Sequence, residues 1–270
     1  MARILAVTNQ KGGVGKTTTA VNLSACLAAL GQRVLMIDLD PQGNATTGCG
    51  VVKREALPTV YQILIGRSTL VEARIRTEFG FDILPANREL AGAEVELIEV
   101  SGREFRLREA LAPVLDEYDF VLMDCPPALN MLTVNGLAAA DAVMIPMQCE
   151  YYALEGLTDL VATLKRVRAN LNARLEIEGL LRTLYDPRST LTQQVSGELV
   201  EHFGSKVYRA IIPRNVRLAE APSYGKPVIA FDRNSKGAQA YAALAQEILD
   251  RRDGIVRELA PSSAAQGAEA

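Results

Sequence analysis

Residues 11 to 18, Lys-Gly-Gly-Val-Gly-Lys-Thr-Thr, are the densest concentration of chemistry in this 270-residue chain. Glycines at 12, 13 and 15 let a backbone fold tightly and turn several N–H groups inward, and such a nest of donors holds anions. The loop follows an apolar run and opens a helical pattern, so a helix N-terminus adds its partial positive charge. Lys16 can reach the β- and γ-phosphates of a nucleotide, and the Thr17 hydroxyl can ligate Mg²⁺. A glycine-rich turn with no ligand is the bland alternative, and Gly-Lys-Thr-Thr at a strand-to-helix junction argues against it.

Carboxylates recur where they would face that loop. The second apolar run ends in Asp38-Leu39-Asp40-Pro41-Gln42-Gly43-Asn44, and another, Phe120–Met123, ends in Asp124-Cys125-Pro126-Pro127. Ligands of parallel α/β sheets bind at the carboxyl ends of the strands. An Asp there can orient an attacking water or hold a metal-bound water, and an apolar strand closing on Asp124 is the arrangement that places a carboxylate near Mg²⁺. Asp38 can alternatively cap a turn. Pro126 and Pro127 stiffen a loop able to sense a γ-phosphate. Cys125 reads as a small packed residue.

The elements needed to hold these residues are legible as alternating patterns. Strands are expected at Arg3–Thr8, Arg33–Ile37, Asp82–Leu84, Phe120–Met123, Ala142–Pro146, Ile177–Leu184 and Val207–Ile211. Helices are expected at Lys16–Leu30, Phe105–Asp116, Leu132–Ala140, Leu154–Asn170, Thr192–Phe203 and Ser235–Asp250. Strands apolar throughout are buried on both faces, and strand–helix alternation means βαβ units and a parallel sheet. The expected fold is α/β: a single-domain P-loop NTPase with a mostly parallel twisted sheet and helices on both faces. The domain is placed at residues 1–252. Residues 253–270 are read as the end of the last helix and a disordered tail.

Composition excludes several classes. Hydrophobic residues make up 49% of the chain and charged residues 23%, ordinary for a globular protein. No apolar run is long enough for a membrane span. The start of the chain lacks a signal-peptide pattern. Four separated cysteines form no CxxC pair, so neither a zinc site nor a disulfide framework is expected, and a reducing cytoplasm is the expected setting. The net charge of −3 hides an asymmetry, because residues 163–236 hold 13 basic and 7 acidic residues. Arg182, Arg188, Arg209, Arg214, Arg217, Lys226, Arg233 and Lys236 lie in that basic third, which could meet nucleic acid despite the acidic whole.

The loop departs from the usual GxxxxGK[ST] pattern: Gln10 stands at the first glycine, and a second lysine, Lys11, follows it. This form resembles the deviant Walker A family, which includes ParA/Soj partition ATPases, MinD and the nitrogenase iron protein. DLDPQGNAT (38–46), PANRELAGAEVEL (85–97), DCPPALNMLTVNGL (124–137), PMQCEYYALEGL (146–157) and IIPRNVRLAEAPSYGKPV (211–228) resemble the ParA/Soj subgroup, over roughly residues 2–250.

The resemblance implies a slow, partner-stimulated, Mg²⁺-dependent ATPase with ATP bound by Lys11, Gly12, Gly13, Val14, Gly15, Lys16, Thr17 and Thr18. Thr183 and Pro213 would lie in the base-binding region. Lys11, Lys16 and Asp40 would be catalytic, Lys11 by reaching across an ATP-sandwich homodimer to the partner's phosphates; alone, Lys11 would read as a solvated surface charge. Thr17, Asp40 and Asp124 would serve the metal, with Asp38 in support of Asp40. The same resemblance implies non-specific double-stranded DNA binding in the ATP state, with Arg188 and Arg217 the best candidates, a ParB-type centromere-binding partner, and a nucleoid-associated location in the cytoplasm. Because the chain starts only a few residues before its first strand, operator binding through an N-terminal extension is not expected.

Two other functions compete. A MinD-like membrane-associated switch needs a basic amphipathic C-terminal helix; the candidate, Glu247–Leu259, is interrupted by Gly254, lacks aromatics and carries about balanced charge. No membrane partner is therefore expected. A metabolite-directed ATP-dependent ligase needs its own catalytic groups, and the sole histidine, His202, falls in a helical stretch far from the loop, where a surface or capping role suits it.

Overall fold

The computed structural model describes residues 2–255. In chain order the elements are β1 (Arg3–Val7), α1 (Lys16–Ala29), β2 (Val34–Asp38), α2 (Asn44–Gly48), α3 (Val60–Leu64), α4 (Leu70–Ala73), β3 (Ile75–Arg76), β4 (Asp82–Leu84), α5 (Leu90–Glu96), α6 (Arg106–Leu111), β5 (Phe120–Asp124) and α7 (Met131–Ala139). They continue with β6 (Ala142–Gln148), α8 (Ala153–Asn170), β7 (Glu176–Tyr185), α9 (Thr190–Phe203), β8 (Val207–Pro213), α10 (Val216–Glu220), α11 (Val228–Phe231) and α12 (Lys236–Arg252). The eight strands form one sheet in the order β3-β4-β2-β5-β1-β6-β7-β8. Every pairing is parallel except β3 with β4.

The apolar strands are buried on both sides, as their composition demands. Along β1, Ile4 and Ala6 join a core that also takes α3, α5, α6, α7, α8 and α9. The alternate residues Leu5 and Val7 join the opposite core, built with α1, α11 and α12. β5 divides in the same way, with Val121 and Met123 on one side and Phe120 and Leu122 on the other. The single α/β domain with helices on both faces is therefore present.

One expected helix is altered. Instead of running from Phe105 to Asp116, only Arg106–Leu111 is α-helical, and Arg103–Phe105 and Ala112–Glu117 flank it as 3-10 turns. Pro113 lacks an N–H for the helical ladder, which accounts for the change at the C-terminal side. The part of the expected tail from residue 256 lies outside the described residues. Among the described residues, no helix is long and apolar enough to cross a membrane.

Candidate phosphate and metal site

β1 is central, flanked by β5 and β6, and β2 pairs with β5. The chain must therefore release the glycine loop, Asp38 and Asp124 at neighbouring carboxyl ends of the sheet, which is where α/β folds bind ligands. Asp38 and Asp124 are in register with each other across β2 and β5, and Val7 is in register with Asp124.

The loop is shaped by side chains that occupy its carbonyls. Lys16 donates to the carbonyl of Lys11 at 2.9 Å, Gln148 to that of Gly13 at 3.3 Å, and Thr183 to that of Val14 at 2.7 Å. Gly13 and Gly15 adopt φ of 74° and 88°, in the left-handed region that favours glycine. α1 then begins without a side-chain cap and without an acidic residue in its first turn. Its first-turn N–H groups lack intrahelical partners, so they are available to an anion.

A cleft of about 410 Å³ opens above this loop. Gly12, Gly13, Gly15, Lys16, Thr17, Thr18, Asp40 and Thr183 line it, so the fold brings together most of the residues expected to bind the nucleotide. Lys16 is buried, and loss of hydration pulls its ammonium below the usual lysine range, opposed by the nearby Asp124 and Asp40. Val14 is buried and contributes through its carbonyl. Thr183, expected near the base, is committed by its hydroxyl to the glycine loop. Pro213 does not line the cleft, although its neighbours Ile212 and Asn215 do. Lys11 is also outside the lining: its half-exposed ammonium pairs with Glu150 at 2.5 Å.

Asp124 and Asp38 have opposite surroundings. Asp38 is wholly buried and fully engaged. It accepts from the Thr46 N–H and hydroxyl, both at 2.8 Å, and from the Asp40 N–H at 3.1 Å. Thr46 in turn accepts from the Ala86 N–H at 2.9 Å. Asp38 is thus the brace of the loop that carries Asp40. Burial, the largest influence, pushes its carboxyl up to about 6 despite those hydrogen bonds.

Asp124 is just as buried, but neither carboxylate oxygen has a hydrogen-bond partner. Burial and then the Asp38 charge push its carboxyl far above the usual range. The Thr17 hydroxyl moderates that rise without reaching full hydrogen-bond geometry. A buried carboxylate with no donor is costly unless a cation compensates it. An unpartnered Asp124 beside Thr17, below a cleft lined by Lys16, fits a divalent cation with a phosphate.

Residues that sequence reasoning missed complete the cleft. Asn215 carries a buried Oδ1 without a partner. Leu184, at φ 49°, turns the chain as β7 ends. Tyr241 reaches in from α12, its hydroxyl 3.1 Å from that of Thr19. No local signal marks them, since each joins the site by tertiary packing; only the motif around Asn215 gave a hint.

The basic third is less uniform than its composition implied. Arg182 is buried and donates to Ser196 at 2.9 Å and to the Tyr208 carbonyl at 2.7 Å, so it cannot meet a polyanion at the surface. Arg188 and Arg217 are exposed, beyond the carboxyl ends of β7 and β8, on the same edge of the sheet as the cleft. His202 is exposed and rests on the Glu198 carbonyl of its own helix, as a surface residue should. Cys125 is buried, and burial raises its thiol strongly.

Comparison with known proteins agrees with this geometry. Residues 2–177 match a family model described as an AAA domain. A chromosome partitioning protein ParA of Caulobacter vibrioides is 53% identical over 252 residues, covering 92% of this chain and 94% of that protein. The sporulation initiation inhibitor protein Soj of Bacillus subtilis is 52% identical over 249 residues, covering 92% and 98%. A solved Mycobacterium smegmatis structure, described as cobyrinic acid a,c-diamide synthase with bound ADP and magnesium, superposes with a TM-score of 0.84 at 38% identity, covering 97% of this chain and all of that one. With a glycine loop, an unpartnered aspartate beneath it and relatives of this similarity along nearly the whole length, the chain belongs to the ParA/Soj chromosome-partitioning ATPases.

Proposed function

We propose that this ATPase is a nucleotide-dependent dimerising switch that binds DNA without sequence preference in its ATP state and releases it on hydrolysis. The observation that carries the proposal is the contrast between the two loop lysines. Lys16 lines its own cleft, whereas Lys11 is turned out of it towards Glu150. A lysine in that position suits the phosphates of a second copy better than its own. Charge supplied across an interface would make hydrolysis depend on assembly, because phosphoryl transfer gains from positive charge near the developing negative charge.

Within one protomer, Gly12, Gly13, Gly15, Lys16, Thr17 and Thr18 hold the phosphates through backbone N–H groups, the ammonium and the hydroxyls. Thr17 and Asp124 would hold Mg²⁺, and Asp40, whose charge is felt by Asp124, would serve its hydration. When bound, Mg²⁺ neutralises phosphate charge and orients the phosphate oxygens. Asp40 orients the attacking water, braced by Asp38. The unpartnered Oδ1 of Asn215 accepts from the amino group of the base, beside Thr183 and Ile212, with Pro213 behind them as part of the β8 end and not as a lining residue.

Arg188 and Arg217 carry the DNA contact, and pairing of two copies doubles the basic edge. Contacts to phosphates alone are sequence-independent and salt-sensitive. Nucleoid DNA is the proposed cargo track and a ParB-type protein the proposed stimulating partner. Residues 1–252 are the proposed extent of the ATPase domain. The similarity to a diamide synthase does not by itself carry a ligase reading, since among the described residues the charged groups that line the cleft are Lys16 and Asp40, both assigned to the phosphates and the attacking water.

Measurement of molar mass and DNA binding with ATP, ADP and no nucleotide tests the proposal. Lys16→Ala should lose ATP-driven assembly. Asp40→Ala should accumulate an assembled, DNA-bound form with turnover reduced by at least about tenfold. An assembled Asp40→Ala form that ignores DNA would refute the partition switch.

A further inference from the structure

Asp40 lies on no regular element; it sits in the connection between β2 and α2. One carboxylate oxygen, Oδ1, accepts from the Gln42 N–H at 2.9 Å, and its carbonyl accepts from the Gly43 N–H at 2.9 Å. The Gln42 carbonyl in turn receives the Lys53 ammonium at 2.7 Å. Gln42 is thus gripped on both sides, by Asp40 through its N–H and by Lys53 through its carbonyl.

The turn is cut to fit this lysine. Gly43 has φ of 62°, and a Cβ there would come within 2.7 Å of the Ala86 carbonyl oxygen and 3.0 Å of Lys53 Cδ. The Lys53 stem therefore lies against the turn, and its solvent-facing head meets a backbone dipole. Among the described residues no carboxylate pairs with it, although Glu55 is two positions away and Glu78 lines the same surface cleft. The ammonium is thus given to this turn and not to either neighbouring acid.

We propose that Lys53 is a positioning residue for ATP hydrolysis. By fixing the Gln42 carbonyl it keeps the Gln42 N–H on Asp40, and so aims the other Asp40 oxygen into the phosphate cleft. The proposal rests on the assignment of Asp40 as the residue that orients the attacking water. A small misplacement of such a group is costly in rate while leaving ground-state binding alone.

The experiment compares Lys53→Met, which keeps the stem and removes the charge, with Lys53→Arg, which restores a donor. Steady-state ATP turnover, the thermal midpoint, and hydrogen exchange at the Gln42 and Gly43 amides of the nucleotide-free protein are measured. Lys53→Met should lower kcat by roughly 10- to 100-fold with KM for ATP within about twofold. Exchange at those two amides should quicken while the midpoint stays put, and Lys53→Arg should recover most of kcat. An unchanged kcat in Lys53→Met overturns the proposal, as does a loss that tracks the midpoint or falls on KM. Asp40→Ala separates the two levels. If it hydrolyses ATP normally, the role of Asp40 fails and that of Lys53 with it; if it is inactive while Lys53→Met is normal, only the Lys53 assignment fails.

Discussion

Arg188 is the more exposed of the two proposed DNA contacts, at 88%, yet its guanidinium is already engaged. Its Nε and one terminal nitrogen reach the Asp186 carboxylate at 3.0 and 2.8 Å. Arg188 is the main cause of the Asp186 carboxyl being held down at about 2. A carboxylate depressed on folding contributes stability above its unfolded value, near 4, and loses it as pH falls towards 2. The pair is therefore intact throughout the neutral range, and any DNA phosphate must compete with Asp186 for the arginine. Asp186→Asn should strengthen DNA binding by the ATP-bound protein about two- to fivefold at low salt, with the gain shrinking as ionic strength rises. Arg188→Ala should weaken it. Anisotropy titrations of a labelled duplex at two salt concentrations check both. Weaker binding by Asp186→Asn would mean that Asp186 orders the loop instead of competing for the charge.

At the scale of elements, β8 poses a problem that α12 solves. β8 closes one edge of the sheet, where unpaired N–H groups invite another strand. Glu247 of α12, buried at 5% exposure, accepts from the Arg209 and Ala210 N–H groups, both at 2.9 Å, and from Arg251 at 2.8 Å. Glu247→Ala leaves two part-buried donors without their acceptor and takes from Arg251 its carboxylate, leaving it the Val207 carbonyl, a change worth on the order of 3 kcal/mol. The thermal midpoint should fall by roughly 6–12 °C for a chain of this size. Glu247→Gln, which keeps one acceptor, should lose less, and calorimetry on the three proteins orders them. A side chain acting at such long range in sequence explains the limits of sequence reasoning. The glycine loop, Asp40 and Asp124 were legible because local composition and strand ends mark them. Asn215, Leu184 and Tyr241 were not, because β8, β7 and α12 bring them to the cleft only after the sheet has formed. Arg182 misled for the same reason: its charge counts towards a basic segment, while β7 buries it between Ser196 and Tyr208. The short β3, α2 and α5 escaped because a few residues show no period, and neighbouring segments decide their conformation.

At the scale of the whole molecule, the question is whether Lys11 serves its own cleft or that of a second copy. Two single variants answer it without a structure of the assembly. Lys11→Ala and Lys16→Ala should each be nearly inactive alone. When Lys11→Ala protomers are mixed with Lys16→Ala protomers, each mixed pair contains one complete site. That site has Lys16 from the Lys11→Ala copy and Lys11 from the other; the second site in the pair lacks both lysines. Lys16→Ala does not assemble by itself, so mixed pairs form only as far as the one complete site holds two copies together, and up to about a quarter of the wild-type turnover should return. If Lys11 acted within its own protomer, no pairing could assemble an intact site, and the mixture would stay as inactive as its parts. Exposure of Lys11 on Glu150 and burial of Lys16 above Asp124 favour the first outcome, since only the former can leave its present partner without disturbing the core. Turnover per protomer in the wild type should for the same reason rise with protein concentration until pairing saturates. Steady-state turnover of the mixture across a range of concentrations, read beside its molar mass, follows both effects, and the absence of complementation in a mixture shown to contain mixed pairs would rule out the shared site.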